Sequence, residues 1–416
     1  MANRKPNRQG TATAYSPGTE DMTIAHGVAV RIAGNWADCW LYKGILHLWD
    51  DDGELYKVPV ETIVRDIVKT HSPHIATIAE HALFRNDWTA SEQQRSLLRS
   101  SGYQSYWEGA AREAIEIGPI EYSPSQLRWS GTEPVPGVLL GSSVYANRLF
   151  LASTEGLFES RVGPQDVDEV APLEQLLSVE TRDVNANYAS VAASAADEGL
   201  WFGEVDWADN PTESHLLSGL SKGSLQKKAD RSYKTSFAKR NLLNYDGDAV
   251  PTLWRADSRQ DKQGGEQFAS WKIRSIRPGP SLESAVMSAS GGARQGNDSL
   301  QVLGNSDNNL LLARRGELHV VSLRKQADRF TAEPSKSFNK VSLDIRMSEI
   351  LSTHSIVGGF VIEQAEGVAV VTGEGVKPLL DGEFAQVRTF ARSKSYGSVC
   401  AAIDNDACYL IATRKP

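Results

Sequence analysis

The sequence predicts an all-β fold that is built from repeated hairpins and interrupted by one helical insertion. A short pattern recurs seven times: two or three apolar residues, a polar turn with a glycine, and then alternating apolar residues, as in residues 149–160 and 310–321. Alternation over a short run is typical of a strand with one buried face. Glycine accepts the positive φ that tight hairpin turns require. Each copy is therefore predicted to form two antiparallel strands.

The spacing of these turns predicts a ring of blades. Four of the six intervals between successive turns are 40 to 51 residues long, which is the length of one propeller blade. We therefore predict a seven-bladed β-propeller of four-stranded antiparallel blades. Six blades, or eight with a further blade around Trp271, are the alternatives. The aligned turn residues are Gly53, Gly156, Gly199, Gly247, Gly316, Gly367 and the Asp404–Asn405–Asp406 turn.

The first long interval contains a stretch with helical spacing. From Glu61 to Gly118 the apolar residues recur three or four positions apart, which predicts amphipathic helices. The segment Thr89–Glu92 also matches a capping box, which starts a helix. Residues 61–118 are therefore predicted to form a helical insertion between the first and second blades.

The rest of the chain divides around this insertion. Residues 1–20 are predicted to be a disordered tail, residues 21–60 an N-terminal strand and the first blade, and residues 119–416 the remaining blades. Flexible loops are expected near residues 215–240 and 277–300, because the second of these segments is rich in glycine and serine. We also expect residues 22–32 to pair with the strands near 397–413, since this closes the ring and removes an exposed sheet edge.

Over residues 21–60 and 119–416 the pattern resembles the β-propeller superfold, in a WD-like or quinoprotein-like style. Leu48-Trp49-Asp50 contains a WD-type dipeptide, but no blade has the Gly-His partner of WD repeats. The tandem glycine and tryptophan pattern of kelch repeats is also missing. The resemblance therefore implies an architecture and transfers no catalytic residue.

Composition and charge favour a cytoplasmic protein. The chain has 416 residues and a net charge of −8, so it has no general attraction to nucleic acid. No apolar run approaches the ~20 residues that a membrane helix needs, and no apolar stretch follows the basic start as in a secretory signal. The three cysteines, Cys39, Cys400 and Cys408, favour a reducing compartment, and we expect Cys400 and Cys408 to be buried.

Candidate chemical motifs do not combine into a known site. His74 and His81 lie seven residues apart in the insertion but match no zinc motif. The acidic segment 50–54 lacks the frame of a calcium loop and is interpreted as a turn. Residues 219–223 fit the bare Gly-x-Ser-x-Gly spacing, but a polar stretch precedes them where a hydrolase has a buried strand. We predict no catalytic residue, no metal and no cofactor.

A basic segment is the main candidate for binding. Residues 215–240 carry seven cations and one acid, with aromatic residues between them, and this combination suits phosphate contacts and base stacking. The alternative is a solvated loop, or a loop that pairs with acidic residues elsewhere. The candidate binding residues are Lys222, Lys227, Lys228, Arg231, Tyr233, Lys234, Lys239 and Arg240.

The helical insertion supplies a second candidate surface. Trp88, Tyr103, Tyr106 and Trp107 could anchor a partner protein, or they could form the insertion's own core. The helix after Gly102 carries more glutamates than cations, so phosphates would repel it. We therefore interpret it as packing on the propeller or docking a protein.

These observations favour a non-catalytic scaffold or adaptor in a multi-subunit assembly, with other protein subunits as partners. One alternative is a hydrolase or lyase with its site in the central channel, where His26, His319 and His354 could take part. The other alternative is a nucleic-acid-binding subunit that acts through residues 222–240.

Overall fold

The computed structural model shows a seven-bladed β-propeller. It contains six four-stranded sheets and one five-stranded sheet that form the blades, and one separate two-stranded pair. The structure describes residues 27–84, 100–123, 128–129, 133–145, 148–161, 172–207, 217–219, 224–262, 269–291, 300–315, 317–326, 329–338, 350–393 and 395–413.

Strand β1 (Ala29–Ala33) comes first in the chain and belongs to the last blade. Blades 1 to 3 follow, and each runs from an inner first strand to an outer fourth strand. Blade 1 contains β2 (Trp36–Tyr42), β3 (Ile45–Asp50), β4 (Leu55–Pro59) and β6 (Arg128–Trp129). Blade 2 contains β7 (Leu139–Tyr145), β8 (Arg148–Ser153), β9 (Gly156–Arg161) and β10 (Glu174–Leu177). Blade 3 contains β11 (Asp183–Asn187), β12 (Ser190–Ser194), β13 (Leu200–Glu204) and β16 (Gln226–Ala229).

Blades 4 to 7 have the same antiparallel order. The short pair β14 (Asp206–Trp207) and β15 (Leu217–Gly219) lies between β13 and β16 in the chain. Blade 4 contains β17 (Lys234–Ala238), β18 (Asn241–Tyr245), β19 (Thr252–Lys262) and β20 (Ala269–Pro278), and blade 5 contains β21 (Leu300–Ser306), β22 (Asn309–Arg314), β23 (Glu317–Gln326) and β24 (Arg329–Pro334). Blade 6 contains β25 (Ile350–Ile356), β26 (Gly359–Gln364), β27 (Gly367–Thr372) and β28 (Gly375–Asp381). Blade 7 contains β29 (Gln386–Thr389), β30 (Val399–Ile403) and β31 (Ala407–Ala412), together with β1.

The six aligned turns that the structure describes each join the second and third strands of their blade, and the seven sheets confirm the predicted blade count. Gly199, for example, adopts a φ of 102°, and a Cβ there would lie 2.0 Å from the carbonyl oxygen of Ala229. Gly316 falls between β22 and β23, outside the described residues. We call the rim with these turns the upper rim; the turns between first and second strands form the lower rim.

The ring closes as predicted, because β1 pairs antiparallel with β31 in the register from Ala29↔Ile411 to Ala33↔Ala407. Strand β5 (Ile120–Tyr122) then pairs in parallel with β1 and becomes the outer edge of blade 7. Residues 22–26 of the predicted closing strand lie outside the described residues. The last blade therefore contains strands from both ends of the described chain.

Helices follow β4, in the region where the sequence predicts them. They are α1 (Val60–Thr70), α2 (Pro73–Ala79), a π-helical turn (Glu80–Phe84) and α3 (Ser101–Ile117). They lie between the third and fourth strands of blade 1, and not between two complete blades, because β6 pairs with β4. Ser72 caps α2 through its hydroxyl oxygen, which accepts a hydrogen bond from the amide of Ile75 at 3.3 Å. The apolar faces of the helices share one core with blades 1 and 7.

The two segments expected to be flexible loops contain regular structure. Strands β15, β16 and β17 all lie within residues 215–240. Helix α4 (Glu283–Ala289) lies within residues 277–300, where Leu282 and Val286 are buried in the core of blades 4 and 5. A single 3-10 turn, Lys336–Phe338, follows β24. The described residues include no helix with both the length and the apolar character for crossing a bilayer.

Blade 1 buries an imidazole beside an ammonium group. His47 and Lys57 face each other across β3 and β4, and both are fully buried. The Nδ1 atom of His47 lies 3.3 Å from the carbonyl oxygen of Trp40. Burial and the charge of Lys57 lower the pKa of His47 to about 4. The imidazole is therefore neutral in the folded protein at neutral pH.

Replacing Arg31 tests the closing pairing. Arg31 is paired on both sides, with Tyr409 and with Glu121, so Arg31→Pro should lower the free energy of unfolding by at least ~2 kcal/mol through lost ladder hydrogen bonds. Arg31→Ala keeps the backbone pairing and removes a partly exposed ion pair with Glu121 and the contacts of the guanidinium with Tyr409, so it should cost only ~1 kcal/mol. Urea unfolding measures both, and equal losses in the two variants would contradict the closure.

The pH dependence of stability tests the burial of His47. The unfolded chain takes up a proton near pH 6.5, while the folded protein does so near pH 4. Stability should therefore fall as the pH drops through this window, by ~1.4 kcal/mol per pH unit for this group. In urea unfolding, His47→Gln should remove that part of the slope and leave the slope above about pH 7.5 unchanged. Equal slopes for both chains in the acidic window would show that His47 is not buried in its neutral form.

Candidate functional site

The first strands of the seven blades surround a central channel, a cavity of about 770 Å³. Every blade contributes to its wall, for example through Leu41 of blade 1, Ser142 of blade 2 and Asp183 of blade 3. Polar side chains from several blades therefore converge on the ring axis. The hypothesis of a channel site requires this arrangement.

A buried ion pair joins blade 7 to blade 1. The guanidinium of Arg388 donates from Nε to Asp38 Oδ1 at 2.6 Å and from Nη2 to Asp38 Oδ2 at 2.9 Å. Asp38 is only 1% exposed. Burial acts to lower the pKa of Arg388, but the Asp38 carboxylate holds it above its usual value. The pair is bidentate and fixes the orientation of the guanidinium.

Blade 2 leaves space for this guanidinium. A Cβ on Gly141 would lie 3.6 Å from Arg388 Nη2 and 3.4 Å from the carbonyl oxygen of Arg182. Arg388 therefore reaches from blade 7 past blade 1 to the inner strand of blade 2. These distances are ordinary van der Waals contacts, so the guanidinium packs beside Gly141 without a clash.

A second set of contacts joins blades 3, 4 and 6. The ammonium of Lys234 donates to the carbonyl oxygen of Thr353 at 2.9 Å. Asp183 accepts a hydrogen bond from the amide of Thr235 at 3.0 Å. Burial lowers the pKa of Lys234, and the nearby Asp183 carboxylate opposes this shift. Lys234 thus spans the channel next to an acidic neighbour.

Blade 6 carries a serine between a histidine and a carboxylate. Ser352 Oγ lies 2.6 Å from His354 Nε2 and donates to Glu363 Oε2 at 2.5 Å. Burial lowers the pKa of His354 to about 4, so the ring is neutral at neutral pH. In a Ser-His-acid triad the imidazole stands between serine and acid. Here the serine occupies the middle position, so its proton is already directed at the carboxylate.

The connection between β29 and β30 covers the lower end of the channel. From it Arg392 donates to the carbonyl oxygen of Phe237 in blade 4 at 3.1 Å. Its guanidinium carbon lies 5.3 Å from the centre of the Tyr188 ring and 5.2 Å from that of Phe237. Arg392 therefore bridges blades on opposite sides of the ring by a hydrogen bond and by cation–π contacts.

Two buried polar atoms in the channel wall have no hydrogen-bond partner among the described residues. They are the hydroxyl oxygen of Ser142, a residue 3% exposed, and the amide nitrogen of Asn187, a residue 6% exposed. Buried polar groups are normally hydrogen-bonded. Both residues are among those that line the channel.

The structure separates the basic residues that the sequence singles out. Lys227 and Lys228 lie on β16, the outer strand of blade 3, while Lys234 starts the inner strand of blade 4 and lines the channel. Arg231 and Tyr233 contact Asp197 near the upper rim. The remaining described members, Lys239 and Arg240, lie in the turn between β17 and β18 on the lower rim, and Lys222 falls outside the described residues.

Arg240 has a partner of its own: its guanidinium carbon lies 3.7 Å from the centre of the Trp271 ring. The basic segment therefore contributes to four different parts of the molecule. It does not form one continuous basic surface within the described residues.

The aromatic residues of the insertion divide into buried and exposed members. Trp107 is 7% exposed and belongs to the shared core, whereas Tyr103 is 42% and Tyr106 45% exposed. The hydroxyl of Tyr106 lies 2.8 Å from His74 Nδ1. Trp88 falls outside the described residues.

The histidines named for a channel site also separate. His354 lines the channel, His319 lies on the third strand of blade 5, and His26 is outside the described residues. No group of three or more His, Cys, Asp or Glu side chains in the described part of the chain could hold a metal ion. All three cysteines are buried and free.

Sequence reasoning missed the channel charges Asp183 and Arg388, and the Asp38 carboxylate that pairs with Arg388. The available signal was a charged residue within or beside the short first strand of a blade, such as Asp38 in Trp36–Tyr42. Charged side chains are rarely buried unless they are paired, so such a residue indicates a partner on another blade. The sequence does not show which blade supplies it.

Comparison with known proteins yields structural similarities at low sequence identity. No family model and no curated protein matches the chain. The chain is similar to the WD40 β-propeller domain of Doa1, with 10% identity, 94% of this chain and 95% of that chain covered, and a TM-score of 0.41. It is also similar to YCF48 bound to D1 peptide, with 8% identity, 95% of this chain and 96% of that chain covered, and a TM-score of 0.40. The similarity to the computationally designed protein Ika8 has 11% identity, 91% of this chain and 83% of that chain covered, and a TM-score of 0.42.

A double-mutant cycle tests the ion pair between blades 7 and 1. Arg388→Met should lower the free energy of unfolding by ~3–5 kcal/mol, because it leaves the buried Asp38 carboxylate unpaired. Adding Asp38→Leu should restore part of this loss, so that the double variant is more stable than the sum of the single losses implies. Urea unfolding measures the cycle.

The matched control is Arg182→Met, which removes an ion pair to Glu180 whose two side chains are 53% and 49% exposed. It should change stability by less than ~1 kcal/mol. Additive losses for Asp38 and Arg388 would show that the two side chains do not stabilise each other.

Proposed function

We propose that this protein is a non-catalytic, cytoplasmic propeller scaffold that docks other protein subunits in a multi-subunit assembly. The observation that carries the proposal is the exposed aromatic pair, Tyr103 and Tyr106, on helix α3. Large aromatic side chains are enriched at protein interfaces, where they supply buried contact area at low cost in conformational entropy.

One face of helix α3 is already buried inside the protein. Trp107, Ala110, Ala111 and Ala114 follow helical spacing and are buried in the core that the helices share with blades 1 and 7. An amphipathic surface helix normally presents polar residues on its remaining faces. In α3 one flank instead carries Tyr103, Tyr106 and Ile117, which is 59% exposed. We call this flank, together with Glu113, the docking flank.

The charge of α3 defines the chemistry of the partner. Its middle and C-terminal turns contain Glu108, Glu113 and Glu116 against a single cation, Arg112. Complementary charges direct association and select partners. We therefore infer a partner protein whose contact surface combines an apolar patch with a basic rim.

The ionisable groups of the channel support a scaffold more than an enzyme. Arg388 is held by Asp38, and Glu363 accepts a hydrogen bond from the Ser352 hydroxyl. These bonds occupy the groups that would have to exchange protons with a substrate. The convergence of polar residues on the axis is the observation that favours a channel enzyme as the second candidate. The nucleic-acid alternative has weaker support, because the cations of the basic segment lie apart.

The test compares two double variants, each of which replaces two large, partly exposed side chains with alanine. Tyr103→Ala/Tyr106→Ala removes the anchors of the docking flank. The control, Tyr233→Ala/Leu351→Ala, removes a tyrosine that is 36% exposed and a leucine that is 63% exposed, both away from α3. Each tagged protein is isolated from its native host, and co-purifying chains are quantified by mass spectrometry.

We expect the same stoichiometric subunits with the unaltered protein and the control, and at least about a tenfold lower yield with the docking-flank variant, since anchor residues carry most of the binding energy. Hydrogen exchange in the purified assembly should show protection of α3. Subunits that stay bound to the docking-flank variant, or the absence of any stoichiometric subunit, would overturn the proposal.

A further inference from the structure

The described wall of the central channel has an excess of cations although the protein is acidic. Its described residues include five cations and one carboxylate, Asp183, in a chain whose net charge is −8. Two of these cations also have carboxylate partners next to the wall, because Asp38 pairs with Arg388 and Glu180 with Arg182. A confined wall of one charge sign raises the local concentration of ligands of opposite sign. The five cations are Lys43, Arg182, Lys234, Arg388 and Arg392.

Hydrogen-bond donors remain available within this wall. Lys234 has three N–H donors, and the structure assigns one of them to Thr353. The amide nitrogen of Asn187 and the hydroxyl of Ser142 have no partner among the described residues and are both buried. A phosphate or carboxylate oxygen would satisfy these groups with charge-assisted hydrogen bonds, which are stronger than neutral ones.

The cationic groups are held in place before a ligand arrives. Asp38 fixes the guanidinium of Arg388 from behind, with two hydrogen bonds. Arg392 is fixed by Phe237 and by the two aromatic rings beneath it. Groups that are already ordered lose little conformational entropy on binding, which favours affinity.

The size and lining of the cavity limit the ligand. A volume of about 770 Å³ lies in the range of pockets for small molecules. Aromatic side chains, including Trp40, Tyr145 and Phe390, also line the wall. We propose that the central channel binds a small multivalent oxyanion, a phosphate- or carboxylate-bearing molecule of up to nucleotide size. This site is separate from the docking flank and does not depend on the proposed scaffold function.

Isothermal titration calorimetry of the full chain with five probes tests the proposal. The anionic probes are ADP, pyrophosphate and citrate, the neutral probe is adenosine, and the cationic probe is spermidine. At least one anion should bind with a dissociation constant below about 1 mM, and its affinity should fall as salt increases. Comparison of pyrophosphate with citrate distinguishes phosphate from carboxylate ligands.

Variants locate the binding. Arg392→Gln at the lower mouth and Asn187→Asp in the wall should each weaken binding of that anion by about tenfold or more, because each removes a donor or adds a repelling charge. The control Arg231→Gln removes an exposed cation outside the channel and should leave affinity unchanged. Circular dichroism verifies folding, and Arg392→Gln gives a readable result if Asn187→Asp does not fold.

Three outcomes would overturn the proposal. They are no binding of any of the three anions, equal binding of spermidine, or an affinity that Arg392→Gln leaves unchanged while Arg231→Gln lowers it.

Discussion

The pairing of β1 with β31 is the constraint on which the rest of the structure depends. A sheet edge left open would expose a row of unpaired backbone groups, and blade 7 avoids this with a strand from the other end of the described chain. β5 then covers the outer side of β1 and links the helices to the same sheet. Closure therefore fixes the ring, the position of α3 and the width of the channel together.

Closure also brings together charges that lie far apart in the sequence. Asp38 and Arg388 are separated by 350 residues and meet because blade 7 packs beside blade 1. A buried ion pair adds little net stability compared with apolar packing, but loss of one partner is costly. The pair therefore holds two blades in a specific arrangement, and it also orients a guanidinium toward the channel.

The sequence contains the information for the blades because each hairpin is local. Gly53 and Gly199 mark turns at which a side chain would meet backbone atoms, at 2.9 Å from Val135 and 2.0 Å from Ala229. Apolar residues that recur three or four positions apart in residues 60–79 similarly predict helices. These signals arise within a few residues, so they can be recognised without knowledge of the tertiary structure.

The channel could not be predicted in the same way, because its contacts join residues of different blades. Lys234 appears in the sequence as one cation of a basic run, yet its strand position places it against Thr353, 119 residues away. Lys239 follows it by five positions and lies on the lower rim, because β17 runs from the upper rim to the lower rim between the two lysines. Charge runs therefore describe composition, whereas the strand register decides which charges meet.

Native-state hydrogen exchange of β1 tests the central claim of a closed ring most directly. If Ala29–Ala33 pair with β31 and Val30–Ile32 also pair with β5, the amides of β1 should exchange only through global unfolding, at the same rate as those of Ala407–Ala412. Exchange of the β1 amides that is orders of magnitude faster than exchange of β31 would contradict the account. It would mean that blade 7 lacks its closing strand in solution.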